Sequence, residues 1–149
     1  MAVGSPVHHR DLAIKVQKAA QVKGPCLVET YSVCPPGWSS ETDFFYEVTE
    51  LALQARVLVL YEVELHRKEG YAVYTLNHVP DRFVPVEEYL KTQGRFKNLL
   101  RYPELVKEVQ KYVDHRWDFW SEVLTHNGIS GPWASQAGRS EPQHVAAHV

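Results

Sequence analysis

The sequence predicts an α/β fold in which one helix-strand unit closes a parallel sheet, followed by a β-hairpin and C-terminal helices. Three observations carry that expectation. A helical pattern over residues 11–22 runs straight into a short β-branched stretch. Two strand-like stretches flank a charged turn that ends in Gly70. A long apolar stripe follows Pro103.

Each element has a local reason. From Asp11 to Val22 the apolar residues are Leu12, Ile14, Val16, Ala19, Ala20 and Val22, with Lys15, Gln17 and Lys18 between them. Gly24 and Pro25 stop that helix. Cys26 to Val33 is short, apolar and β-branched, as a strand requires. Cys34-Pro35-Pro36-Gly37-Trp38 is expected to be an irregular loop, because two prolines and a glycine oppose regular structure. Cys34 is thereby placed at the C-terminal end of the strand. Ser39 and Ser40 are candidate caps for the next helix, and Ser40-Glu41-Thr42-Asp43 fits a capping box. Phe44, Val48, Leu51, Ala52 and Ala55 then recur at helical spacing. Val57–Glu64 and Tyr71–Leu76 are the predicted hairpin strands, joined through His66-Arg67-Lys68-Glu69-Gly70. A shorter helix is expected over Val84–Phe96, with Pro85 in its first turn. In the last helix Leu105, Val106, Val109, Tyr112, Val113, Trp117 and Trp120 oppose Glu104, Lys107, Glu108, Lys111 and Asp114. Residues 1–124 are read as one unit and 125–149 as a disordered tail with little to bury.

Composition narrows the classes of function. The 149 residues suit one domain with a real core. With 16 Lys plus Arg against 18 Asp plus Glu, the net charge of −2 offers no field for nucleic acid or an anionic membrane. No apolar run is long enough to span a bilayer, and Met1–Arg10 lacks the apolar core of a secretory signal. Two cysteines are too few for a disulfide scaffold, so the expected location is cytoplasmic.

Specific motifs then point to a family. Gly24-Pro25-Cys26-Leu27-Val28 leads to Cys34-Pro35-Pro36-Gly37-Trp38. Leu60-Tyr61-Glu62 follows, and then Pro85-Val86-Glu87-Glu88-Tyr89-Leu90-Lys91-Thr92-Gln93-Gly94-Arg95-Phe96. Val113-Asp114-His115-Arg116-Trp117 has the acidic-aromatic character of a closing helix. In this order the stretches resemble the C-terminal third of the thiamine-diphosphate-binding (beta) subunits of pyruvate and related 2-oxoacid:ferredoxin oxidoreductases. The resemblance runs from about Asp11 to about Leu124.

The resemblance implies a sheet of the thiamine-diphosphate-binding type. It also implies oxidation of a 2-oxoacid, pyruvate before others, with coenzyme A to an acyl-CoA and carbon dioxide. Electrons would pass through iron-sulfur clusters to ferredoxin, alongside other subunits of the oxidoreductase. Cys34 matches the family's fourth ligand to a [4Fe-4S] cluster. The family's Gly-Asp-Gly segment for Mg²⁺ and the diphosphate is absent, as are its Cys-x-x-Cys pair and third ligand cysteine. A four-iron cluster needs four thiolates. The chain is therefore expected to be inactive alone: a fragment, a truncated gene product or half of a split subunit. The alternatives are a non-catalytic assembly module and a chain without function.

Each candidate residue also has a structural reading. Cys34 is either that metal ligand or a turn thiol. Cys26 is expected in the core at the strand start, since eight residues of strand put it roughly 26 Å from Cys34. The histidines, His8 and His9 near a loose N-terminus, then His66, His78, His115, His126, His144 and His148, are scattered and expected to be solvated. Arg95, Lys91 and Lys97 suit either an anion or, as the favoured reading, a helix end packed on a neighbouring subunit. Tyr112, Trp117, Phe119 and Trp120 are core first and subunit contact second. No nucleophile arrangement or Gly-rich phosphate loop is present.

Overall fold

The computed structural model describes residues 1–66 and 71–126. Among them the elements are β1 (Ala2–Gly4), α1 (His9–Gln21), β2 (Val28–Thr30), α2 (Pro35–Trp38), α3 (Phe45–Gln54), β3 (Tyr61–His66), β4 (Tyr71–Leu76), α4 (Val86–Lys91) and α5 (Pro103–His126). The α/β expectation holds, but the sheet is mixed rather than parallel. Its order is β2-β1-β3-β4. Only β1 and β2 run parallel, with Ala2 opposite Val28 and Gly4 opposite Thr30. β1 and β3 are antiparallel, as are β3 and β4, whose register runs from Tyr61 opposite Leu76 to His66 opposite Tyr71. The predicted hairpin is therefore present, while its turn residues 67–70 lie outside the described residues, as does the tail from 127.

The N-terminus is not loose. Ala2, Val3 and Gly4 are buried at the centre of the sheet, and the amino group of Met1 donates to the Val63 carbonyl at 2.9 Å. Three residues are too few to display a period of two, which is why the pattern missed this strand. At Gly4 a β-carbon would stand 2.8 Å from Leu12 Cδ1, so glycine here lets α1 lie close on one face of the sheet. Val3 points to the opposite side, into a core shared with α3, α4 and α5.

The burial of α1 departs from the sequence pattern. Ile14, Val16 and Val22 are exposed, at 52%, 50% and 53%, and the residue of this helix that is buried is Lys15. Its Nζ donates to the Val3 carbonyl at 2.7 Å and to Asp11 Oδ2 at 2.6 Å. The face that α1 turns to the sheet therefore carries Lys15 with half-buried Leu12 and Ala19, and not Ile14 or Val16.

The capping expectation at Ser40 fails. A short 3-10 turn, Thr42–Phe44, precedes α3, and neither makes a side-chain cap hydrogen bond. α3 ends instead in a Schellman motif. The Val57 amide bonds the Ala52 carbonyl and the Arg56 amide that of Leu53, both at 2.9 Å. Arg56 takes the left-handed position there, with φ of 61°. Its guanidinium is tethered to Asp114 at 2.7 Å and lies 5.1 Å over the Phe83 ring. This tether holds α3 against α5.

The predicted strand Val57–Glu64 is shifted, because Leu58, Val59 and Leu60 are buried without strand pairing ahead of β3. Val84–Phe96 resolves into α4 plus a 3-10 turn at Gly94–Phe96. The first amide of α4, at Val86, is capped across the core by Gln110 Oε1 at 2.7 Å. Gln110→Ala is expected to lower unfolding free energy by about 1 kcal/mol in urea titration, because a half-buried amide loses its acceptor. An unchanged midpoint would show that water replaces it.

The last helix begins at Pro103 as predicted. Val106, Val113, Trp117, Trp120 and Leu124 are its buried residues, at spacings of seven, four, three and four. Trp117 and Trp120 form a second cluster with Val59, Leu76 and Leu124. Leu105 and Tyr112 of the expected stripe are exposed, and so is Phe119, expected in the core with Tyr112. None of the helices among the described residues is long and apolar enough to cross a membrane.

Candidate functional site

The two most distinctive sequence motifs meet in space. β2 ends at Thr30, and the chain is pinned by buried Val33 before Cys34 emerges exposed as a free thiol. Cys34 caps one turn of helix, α2, with the Trp38 amide on the Cys34 carbonyl at 2.9 Å. An irregular loop was expected here. Helix forms because Pro35 and Pro36 occupy first-turn positions, whose amides have no intrahelical partner anyway. Gly37 keeps the thiol uncovered, since a β-carbon there would lie 3.2 Å from Cys34 Sγ.

Gln93-Gly94-Arg95-Phe96 packs directly on this turn. The Gly94 amide donates to the Ser39 carbonyl at 3.0 Å, and the Arg95 guanidinium lies 4.0 Å over the Trp38 ring. Arg95 Nε is aimed by Gln93 Oε1 at 2.9 Å, and Gln93 is itself buried. Below them the Tyr31 and Tyr89 hydroxyls share a hydrogen bond of 3.1 Å. Burial first, and the Tyr89 hydroxyl second, push the Tyr31 phenol well above its usual range, so it stays neutral. Tyr31 also stands edge-on to Trp38, with ring centroids 5.8 Å apart. The result is a rigid platform carrying one exposed thiol and one aromatic-stacked cation.

Within the chain this segment packs on the α2 turn, and Arg95 and Lys97 stay exposed. Lys91 turns away to Glu87 at 2.9 Å and Glu88 at 3.2 Å, which raises its ammonium pKa through those hydrogen bonds. Its charge is thus neutralised locally rather than presented with Arg95.

The cysteines do not gather into a ligand set. Among the described residues, the one group of three or more candidate metal ligands contains neither cysteine. Cys26, expected in the core, is exposed ahead of β2 with Sγ 3.5 Å from the Ala19 carbonyl. The strand starts only at Val28, so Cys26 belongs to the connection from α1 and not to the sheet.

The group that does form was missed from the sequence: His8, Glu50 and His78. His8 follows β1, Glu50 lies in α3, and His78 comes two residues after β4. His8 Nε2 is 3.0 Å from Glu50 Oε1, and the two imidazole rings are 4.6 Å apart between centroids. Burial, then the neighbouring His8, lower the His78 pKa below its ordinary value. Solvation fits His9 and His115, which are exposed, but not this half-buried pair. No local pattern links three residues from three separate elements, so nothing in the sequence marked them.

The chain also has curated relatives, although no protein-family model matches it. It is 40% identical over 111 residues to "Pyruvate synthase subunit PorB" of Thermotoga maritima, covering 72% of this chain and 32% of that protein. It is 32% identical over 132 residues to the subunit of the same name from Pyrococcus horikoshii, covering 78% and 38%. "Ketoisovalerate oxidoreductase subunit VorB" of that organism is 32% identical over 117 residues, covering 78% and 36%. The chain spans about a third of the length of these relatives. Over about three quarters of its own length it resembles the C-terminal part of the beta subunit of pyruvate and related 2-oxoacid oxidoreductases.

Proposed function

We propose that this chain works as part of the beta subunit of a thiamine-diphosphate-dependent 2-oxoacid:ferredoxin oxidoreductase of the pyruvate type, with Cys34 supplying one thiolate to a [4Fe-4S] cluster. The observation that carries the reading is the junction of Cys34–Ser39 with Gln93–Phe96 in a chain 40% identical to a pyruvate synthase subunit. Two motifs far apart in sequence converge to hold one uncovered thiol at the carboxyl end of a parallel strand, where open α/β sheets place ligands.

The residues fit the cluster in part. Cys34 is exposed and held in a fixed turn, but a four-iron cluster takes four thiolates and this sequence has two cysteines. The remaining ligands belong to residues outside this sequence. When bound, the cluster would carry single electrons onward to ferredoxin. This chain's share is to fix one thiolate and to brace it through Trp38, Arg95 and Tyr31. Thiamine diphosphate and Mg²⁺ find no matching segment in this sequence, and neither does the coenzyme A or 2-oxoacid pocket, so those steps belong to parts of the assembly outside these 149 residues. A thiamine-diphosphate-type sheet would be completed by strands of the same assembly, and the cytoplasm is its proposed location.

A second reading rests on the apolar residues left exposed on α1 and just after it. Ile14, Val16 and Val22 suit contact with another subunit and would serve a non-catalytic assembly module equally well. Anaerobic co-expression with polypeptides carrying the missing thiamine-diphosphate segment and cysteines separates the two. The expected result is a complex that reduces ferredoxin with pyruvate. Cys34→Ser should then lose most of the cluster iron and activity, whereas Cys26→Ser keeps both. Full iron and activity in Cys34→Ser would assign the chain to assembly alone.

A further inference from the structure

His78 poses a problem that protein contacts leave unsolved. Its Nε2 is buried and has no hydrogen-bond partner among the described residues. A buried, unpaired imidazole nitrogen is costly, and native structures rarely keep one without a partner, whether protein, water or ion. The His8–Glu50 contact accounts for two of the three residues but leaves His78 unexplained.

We propose that His8, Glu50 and His78 form a binding site for one divalent cation of the zinc class. The donor set is two imidazoles and one carboxylate, which suits zinc and neighbouring transition metals and leaves a fourth position for water. One candidate ligand atom from each residue lies within 4.8 Å of the others. Zinc bonds of about 2.0–2.2 Å hold tetrahedral ligand atoms roughly 3.3–3.6 Å apart. The side chains therefore close by about 1.5 Å at most, which rotation about their own bonds supplies.

The backbone beneath them is set. Buried Ser5 caps the turn that presents His8, its Oγ accepting from the Val7 amide at 3.4 Å. Glu50 rides on α3 next to buried Val48, Thr49, Ala52 and Leu53. His78 sits between buried Leu76 and buried Pro80. All three side chains are half-buried, so an ion can enter and still lose much of its water. The surrounding charge is favourable: Asp81 and Asp11 also act on His78, although Asp11 is engaged by Lys15. The site is separate from the Cys34 platform and does not depend on the oxidoreductase reading.

The test uses the full 149-residue chain, stripped with chelator, reduced and titrated with Zn²⁺ by calorimetry and with Co²⁺ in the visible spectrum. One equivalent should bind. The Co²⁺ spectrum should show ligand-field bands without a sulfur-to-metal charge-transfer band. Glu50→Gln and His78→Gln should each weaken binding by roughly 100-fold or more, beyond the usual loss from an outer-shell change. Saturating zinc should raise the melting temperature of the native chain but not of these variants. His115→Gln and a His144→Ala, His148→Ala double variant should bind normally. Apo-state circular dichroism checks that each variant folds, and His8→Gln replaces any that does not. A thiolate band, loss of binding in the tail variant, unchanged affinity in the site variants, or no binding overturns the proposal.

Discussion

Asp11→Asn should lower the stability of this chain by about 3 kcal/mol, a large part of a small domain's total. The reason lies in Lys15, whose side chain is fully buried while Asp11 keeps some solvent access. With residue 11 neutral, the ammonium stays inside the protein with uncharged acceptors, the Val3 carbonyl and the new amide oxygen, in place of its counter-charge. Removing one member of a buried pair costs far more than removing both, because the survivor keeps its desolvation penalty. Lys15→Met should therefore cost only about 1 kcal/mol, since the half-exposed carboxylate falls back on water. The double variant should be more stable than Asp11→Asn alone, a coupling that urea titration of the four proteins measures directly. Equal losses in both single variants would mean that the pair is merely two independent contacts.

Gly94→Ala should cost about 2 kcal/mol and loosen the Cys34 turn. The new β-carbon would stand 2.8 Å from Ser39 Cβ and 3.0 Å from the Ser39 carbonyl oxygen. The second neighbour is backbone and cannot rotate away, so the two segments must part. Their separation breaks the Gly94–Ser39 hydrogen bond and draws Arg95 off Trp38. Faster reaction of Cys34 with a thiol reagent, measured in a Cys26→Ser background, reports that loosening. Gly37→Ala is the useful contrast, since its β-carbon meets only the Cys34 side chain, at 3.2 and 3.9 Å. It should slow thiol labelling by covering the sulfur, with a smaller loss of stability. Unchanged labelling in Gly94→Ala would show that the platform does not brace the cysteine.

Local features determined much of what the sequence revealed. Apolar spacing alone marks α3 and α5, Pro103 marks the start of α5, and the two strand runs mark the β3–β4 hairpin. Such signals are readable because they arise within one or two turns of chain. The motif resemblance also lives in the sequence, and identity to the PorB and VorB subunits agrees with it.

Tertiary structure alone decided the rest. It turned Lys15 to a strand carbonyl and left Ile14 exposed, because which face of α1 meets the sheet is set by the sheet and not by the pattern of one helix. It recruited three N-terminal residues as the central strand by pairing them with β2 and β3 at once. Long-range packing also joined Gly94 to Ser39 and set His8, Glu50 and His78 face to face. Periodicity reports which residues share a face of one element. Which element that face meets is fixed only when the whole chain has closed around its core.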